Sequence, residues 1–171
     1  MPLTPLKVLI ADDSPIIVQR IRDLISDMEF VSSIGYANDG RETLALVEYM
    51  NPDVVILDIS MPGMSGLDVL QRMKDRNIQA RVLMFSFYPQ EQYAIRAFKL
   101  GASGYLSKDS AFDELATAIR KIAAGGRYVS AALAERLLFQ DIDPAGRLPH
   151  EALSEREFQI MIQLAQGHSV T

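Results

Sequence analysis

The sequence has no cysteine and only two histidines, His150 and His168. Disulfides and thiolate metal sites are therefore excluded, and so is a histidine-rich metal site. No apolar run approaches the roughly 18 residues that a membrane span requires, and the N-terminus lacks the features of a signal peptide. The net charge of −5 argues against a chain that binds polyanions through bulk electrostatics. We expect a soluble, cytoplasmic protein that has no membrane partner.

What is present indicates a folded domain. The 171 residues, 49% of them hydrophobic, suffice for one domain with a sizeable core, or for one domain and a fragment. Apolar runs that predict strands lie at residues 7–11, 31–37, 54–58, 81–86 and 104–107. Amphipathic patterns that predict helices follow each run, at residues 15–28, 41–50, 67–76, 90–100 and 110–124. This alternation predicts an α/β fold, a doubly wound sheet of five parallel strands.

Capping signals mark the starts of two of these helices. Ser14 followed by Pro15 is typical of the cap and first position of a helix. Ser110 with Asp113 three residues later predicts a capping box at the start of the fifth helix. The run at 31–37 is the least apolar of the five, and we expect it towards an edge of the sheet.

Three carboxylates directly follow predicted strands. Asp12 and Asp13 come after the apolar run 8–11, and Asp58 comes after the run 54–57. The carboxyl ends of parallel strands are where open α/β sheets bind their ligands. Three acids at that end would repel one another unless a cation joins them. The sequence therefore predicts a divalent-metal site.

A carboxylate can attack a phosphoryl group and form an acyl phosphate if a metal neutralises the phosphate oxygens. Mg²⁺ prefers oxygen ligands, which Asp12, Asp13, Asp58 and a loop carbonyl just beyond would supply. Lys108 ends the fifth strand and adds a cation, and Ser86 ends the fourth and adds a hydroxyl. Each residue alone has an ordinary structural interpretation, such as a turn, a helix cap or a solvated lysine. The hypothesis depends on their coincidence at one end of the sheet.

At this point the chain resembles a known family. Asp12-Asp13, Asp58 followed by Met61-Pro62-Gly63, Ser86 and Lys108 resemble the active site of bacterial two-component receiver domains. The stretch at 101–109 is similar to the NarL/FixJ subfamily, whose output is a LuxR-type helix-turn-helix. The resemblance covers residues 7 to about 125 and implies a flavodoxin-like receiver with strand order 2-1-3-4-5.

The resemblance also implies a metal and a phosphoryl donor. Asp58 would accept a phosphoryl group from a sensor histidine kinase and would join the Mg²⁺ ligands. Asp13 would coordinate the ion directly, Asp12 partly through water, and Ser60 through its backbone carbonyl. The protein would be a phospho-acceptor with at most self-phosphorylation and self-dephosphorylation activity, rather than an enzyme.

Further residues carry implied roles in a switch. Lys108 would contact the phosphoryl group, Ser86 would close over it, and Tyr105 would turn inward. The face formed by the fourth helix and the fifth strand would then change shape, and the resemblance allows a homodimer.

The C-terminal part follows a different pattern. We expect a receiver over residues 1–125, a helix and linker over 126–150, and the start of a LuxR-type DNA-binding domain over 151–171. The helix predicted at 154–166 corresponds to the first helix of that domain, although an extra amphipathic helix is the alternative interpretation. Because the recognition helix is absent, the chain is expected to be a truncated piece without DNA-binding residues, and DNA would be bound only by the full-length protein.

Two further functions compete with a transcriptional regulator. The first is a receiver that acts only as a protein-interaction module. The second is an aspartyl-phosphate phosphatase of the haloacid dehalogenase type. That family has a second aspartate two residues after the nucleophile, where this chain has Ser60, which argues against it.

Overall fold

The structure, a computed structural model, describes residues 4–109, 112–130 and 134–135. The chain divides into two compact units, residues 1–129 and 130–171, and every helix and strand named below belongs to the first. Residues 130–150 of the predicted helix and linker, and the helix predicted at 154–166, fall in the second unit. Apart from Ser130, Ala134 and Glu135, those predictions lie outside the described residues.

Five strands and five helices alternate along the first unit. The strands are β1 (Leu6–Ala11), β2 (Val31–Ala37), β3 (Val54–Leu57), β4 (Arg81–Ser86) and β5 (Gly104–Ser107). The helices are α1 (Pro15–Ser26), α2 (Gly40–Met50), α3 (Gly66–Asp75), α4 (Gln90–Lys99) and α5 (Asp113–Ala123). All strand pairs are parallel, in the order β2-β1-β3-β4-β5. The predicted fold and strand order are confirmed, including the edge position of β2.

The central strand β3 explains the most apolar run of the sequence. All four of its residues are buried, because helices cover both faces of a doubly wound parallel sheet. On one face, α1 and α5 pack against the sheet through Ile21, Ile25, Leu115 and Ile119, all of which are fully buried. Burial of each such side chain stabilises the fold by about 2 kcal/mol.

The strand register aligns the carboxyl ends of the neighbouring strands. Ala11 pairs with Leu57 across β1 and β3, and the ladder continues one residue further. The Asp58 backbone N–H donates to the Ala11 carbonyl at 2.9 Å, and the Lys108 N–H donates to the Ser86 carbonyl at 2.9 Å. The residues that directly follow these strands, such as Asp58 and Lys108, therefore lie at the same carboxyl edge of the sheet.

The start of α1 agrees with the prediction, whereas the start of α5 does not. Ser14 caps α1 as predicted: its hydroxyl accepts from the backbone N–H of Ile17 at 3.4 Å. The α5 helix begins at Asp113, later than predicted, with Phe112 at the cap position, and Ser110 lies outside the described residues. Phe112 packs edge-on against Phe85, with ring centroids 5.4 Å apart. This tertiary contact lies at the start of the helix, and the predicted capping box is not tested because Ser110 lies outside the described residues.

Among the described residues, no helix is both long enough and apolar enough to cross a membrane.

Candidate functional site

A buried ion-paired triad lies at the carboxyl end of the sheet. The Lys108 ammonium donates to Asp12 Oδ2 at 2.5 Å and to Asp58 Oδ2 at 3.0 Å. The exposed fractions are only 2% for Asp12, 5% for Asp58 and 7% for Lys108. Charge-assisted hydrogen bonds of this kind are short and strong, and removal of the Lys108 ammonium would leave two buried carboxylates without a cation. The predicted convergence of these three side chains is what the structure shows.

Asp13 completes an acidic pocket next to this triad. Asp12, Asp13 and Asp58 each offer a carboxylate oxygen, and these atoms lie within 4.8 Å of one another. Asp13 is exposed, whereas the other two are buried. Asp12 also accepts the backbone N–H of Ser14 at 2.9 Å through its Oδ1, so both of its oxygens are engaged. The donor set consists of hard oxygens and fits Mg²⁺.

The electrostatics of Asp58 also suit a cation. Burial raises the pKa of Asp58 to about 6, because a carboxylate in a low-dielectric site loses solvation. The Lys108 ammonium opposes this rise, the charge of Asp12 adds to it, and a hydrogen bond from the Ser60 backbone N–H lowers the pKa slightly. One buried ammonium thus compensates two buried carboxylates incompletely. A divalent cation would supply the remaining positive charge.

Ser86 and Tyr105 share a partner, Tyr88. The Ser86 hydroxyl accepts from the Tyr88 backbone N–H at 3.2 Å, and the Tyr105 hydroxyl donates to the Tyr88 carbonyl at 2.8 Å. Both residues are 1% exposed. The inward position expected for Tyr105 after phosphorylation is therefore the position that it already has in this structure. The Tyr88 backbone connects the hydroxyl at the site to the aromatic ring on β5.

Two participants were missed by sequence reasoning. Phe87 is 59% exposed, and the Lys108 ammonium lies 5.2 Å from the centroid of its ring, a cation–π distance. Its signal in the sequence was an aromatic residue directly after the candidate Ser86. Tyr88 acts through its backbone groups, which every residue possesses, so its identity gave no signal.

Comparisons with known proteins agree with this geometry. The response regulator receiver domain family matches residues 8–120. The response regulator GacA of Pseudomonas aeruginosa is 32% identical over 166 residues, which covers 96% of this chain and 78% of that protein. UvrY of Escherichia coli, also a response regulator, is 30% identical over 166 residues, with 96% and 76% covered.

A solved structure gives the same result. A two-component response regulator of the LuxR family from Aurantimonas sp. SI85-9A1 superimposes with a TM-score of 0.73 at 30% identity, and the match covers 82% of this chain and 100% of that one. Asp12, Asp13, Asp58, Ser86 and Lys108 all lie within the residues matched by the family. The chain therefore belongs to the response regulators that carry a receiver domain, and it is related to GacA and UvrY of the NarL/FixJ family.

Proposed function

We propose that Asp58 accepts a phosphoryl group from a sensor histidine kinase in a Mg²⁺-dependent step, and that this modification controls the protein. The observation that carries the proposal is the buried Lys108 ammonium, bonded to both Asp12 and Asp58 beside the exposed Asp13. The direct test is phosphoryl labelling by acetyl phosphate, with Mg²⁺ or with EDTA.

The chemistry follows from the groups present. A carboxylate oxygen of Asp58 attacks the phosphorus of a phosphohistidine, the P–N bond breaks, and the imidazole leaves and takes up a proton from solvent. The product is a mixed carboxylic–phosphoric anhydride. Bound Mg²⁺ would neutralise the phosphoryl oxygens during this attack. Lys108 already donates to Asp58, so its ammonium is placed to pair with a phosphoryl oxygen there, and Ser86 would supply a hydroxyl.

The ligand roles divide according to exposure. Asp13 is proposed as the direct carboxylate ligand together with Asp58, because it is exposed at the mouth of the pocket. Asp12 is proposed to act through water, since both of its oxygens already accept hydrogen bonds from the protein. The Ser60 carbonyl would add a backbone ligand. The Ser60 backbone lowers the pKa of Asp58 slightly, so the loop backbone reaches the site.

The proposed output is transcriptional control through DNA. Its support is the resemblance of residues 151–171 to the start of a LuxR-type domain, after a receiver at 1–125 and a connection at 126–150. A solved relative described as a DNA-binding response regulator of the LuxR family, from Staphylococcus aureus, matches 69% of this chain and 98% of its own at 29% identity and a TM-score of 0.65. The alternative output is protein interaction alone.

Genomic DNA captured by the protein should discriminate these outputs. We expect defined fragments to be enriched by the phosphorylated protein and much less by an Asp58→Asn version, because the modification is proposed to control DNA binding. The measurement is sequencing of the retained DNA. If neither protein enriches any fragment, the transcriptional output is contradicted, and protein interaction alone is the output left to test.

Ser86→Ala should separate phosphorylation from its conformational effect. Labelling of Asp58 should persist, because the nucleophile and Lys108 remain. The response of α4 and β5 should be mostly lost, because the Ser86 hydroxyl is the group that connects the phosphoryl to Tyr88 and then to Tyr105. The measurement is the set of beryllofluoride-dependent NMR shifts in both proteins.

Ser107→Ala provides the matched control for that experiment. Ser107 pairs with Ser86 across β4 and β5, but its hydroxyl accepts from the Asp109 backbone N–H. This variant should keep the wild-type shifts. Equal shifts on α4 and β5 in the Ser86→Ala protein and the wild type would refute the proposed connection.

A further inference from the structure

The backbone of Asp58 is in unusually close contact with the first residue of α3, Gly66. A Cβ atom added to Gly66 would lie 2.0 Å from the Asp58 carbonyl oxygen, 2.8 Å from its carbonyl carbon and 3.0 Å from Ile59 Cα. All three atoms belong to the backbone, so no side-chain rotation can relieve the clash. The Gly66 N–H also donates to the Ile59 carbonyl at 2.8 Å. Glycine is required here by close approach and not by its φ angle, since Gly66 is not among the positive-φ residues.

A second glycine holds the same loop from α2. A Cβ atom added to Gly40 would lie 2.6 Å from Met64 Cβ and 2.8 Å from the Met64 carbonyl oxygen. Met64 in turn donates its N–H to the Pro62 carbonyl at 2.9 Å. Gly66 thus contacts the start of the loop at residues 59–65 and directly follows its end, and Gly40 contacts Met64 near that end.

This loop has little freedom to absorb a displacement. Its first residue follows Asp58, whose N–H is hydrogen-bonded to the Ala11 carbonyl at 2.9 Å. To restore even a 3.0 Å separation, a Cβ at residue 66 would require a movement of about 1 Å between α3 and the Asp58 backbone. Mg²⁺ requires near-octahedral oxygens at about 2.0–2.1 Å, and catalytic groups function within about 0.5 Å of their productive positions. A movement of that size would displace both the acceptor and the Ser60 carbonyl.

We propose that Gly66 and Gly40 are positioning residues for Mg²⁺ binding and phosphoryl acceptance, because the absence of their side chains sets where the Asp58 backbone and the loop at 59–65 lie. Neither glycine has a side chain that could bind the metal or the phosphoryl group. The inference rests on the proposed function and adds to it two residues outside the acidic pocket. Their effect is transmitted through backbone contacts with Asp58 and Met64.

The test compares Gly66→Ala and Gly40→Ala with Gly35→Ala as the matched control. A Cβ at Gly35 on β2 would meet the Met50 sulfur at 2.4 Å, but that contact is the end of a flexible side chain, which can rotate away. Three quantities are measured for each chain: the Mg²⁺ dissociation constant from NMR titration, the melting temperature in EDTA, and the rate of labelling by acetyl phosphate at saturating Mg²⁺.

We expect Gly66→Ala to weaken Mg²⁺ binding by the folded protein about 10- to 100-fold, the range for residues that orient metal ligands. Gly40→Ala should have a smaller effect, because part of its clash is with the Met64 side chain. That loss should shrink in a Met64→Gly background, in which the nearest atom is gone. Gly35→Ala should bind Mg²⁺ as the wild type does.

A Gly66→Ala protein that melts at a lower temperature but binds Mg²⁺ with the wild-type constant would show a purely structural role and overturn the inference. If Gly66→Ala does not fold, Gly40→Ala alone and in the Met64→Gly background decides: wild-type Mg²⁺ affinity in the single variant overturns it. A wild-type chain that binds Mg²⁺ and is labelled keeps the proposed function intact in either case. Failure of the wild type itself would overturn both.

Discussion

Asp58→Asn should abolish phosphoryl labelling of the chain by acetyl phosphate. The amide is nearly the same size as the carboxylate but cannot form the acyl phosphate, because its nitrogen and neutral oxygen are poor nucleophiles towards phosphorus. Lys108 bonds to both Asp58 and Asp12. Asp12 also accepts a hydrogen bond at the N-terminus of α1, so both of its oxygens are engaged. Intact mass, read after incubation with acetyl phosphate and Mg²⁺, should show a phosphoryl adduct on the wild type and none on the variant.

Asp53→Asn is the matched control for this labelling. Asp53 precedes β3, at the end of the strand opposite to Asp58, and accepts a hydrogen bond from the Lys7 backbone N–H at 2.8 Å. The Asp53→Asn protein should therefore be labelled as the wild type is. EDTA should remove labelling of the wild type, because the three carboxylates would then repel the incoming phosphoryl group without a metal to compensate. Undiminished labelling of Asp58→Asn, or full labelling in EDTA, would contradict the assignment of the acceptor.

Asp58→Asn should also stabilise the protein in metal-free buffer at neutral pH. The folded-state pKa of Asp58 is raised from 3.8 to about 6, chiefly by burial. The folded state therefore binds the proton more tightly than the unfolded chain does. The resulting contribution to the free energy of unfolding is fully present below pH 4 and is lost as the pH rises through 6. Above pH 6 the buried carboxylate is ionised at a cost of about 1–3 kcal/mol relative to the unfolded state. Asparagine avoids that cost.

Urea unfolding from pH 4 to 8 in EDTA checks this expectation. The free energy of unfolding of Asp58→Asn should exceed that of the wild type at pH 7–8, and the difference should vanish towards pH 4. Added Mg²⁺ should reduce the difference at neutral pH, because a cation that binds the wild-type carboxylates stabilises the folded state. Asp53→Asn again serves as the control. A variant less stable than the wild type at pH 7, or a difference that does not change with pH, would refute the electrostatic account.

Much of the fold was readable from local patterns. The β3 run is apolar at every position because both faces of the strand are covered, and this pattern identifies a central parallel strand without knowledge of its neighbours. The Ser14-Pro15 pair set the start of α1 through a local hydrogen bond. Since Asp12, Asp58 and Lys108 directly follow strands, parallel pairing alone placed them at one end of the sheet.

What the amino-acid sequence determined by itself was therefore the order of elements, the type of sheet and the identity of the acidic residues at its carboxyl end. Only the tertiary structure decided that one ammonium bridges Asp12 and Asp58, that Tyr105 is already inside, and that Gly66 lies against the Asp58 carbonyl. Strand periodicity and caps are interactions between neighbours in the chain, so they leave a local pattern. The bridging distances depend on register between strands that are distant in sequence. The contacts of Tyr88 involve backbone atoms that every residue carries, and although residue 66 must be glycine, the sequence does not show which backbone lies against it.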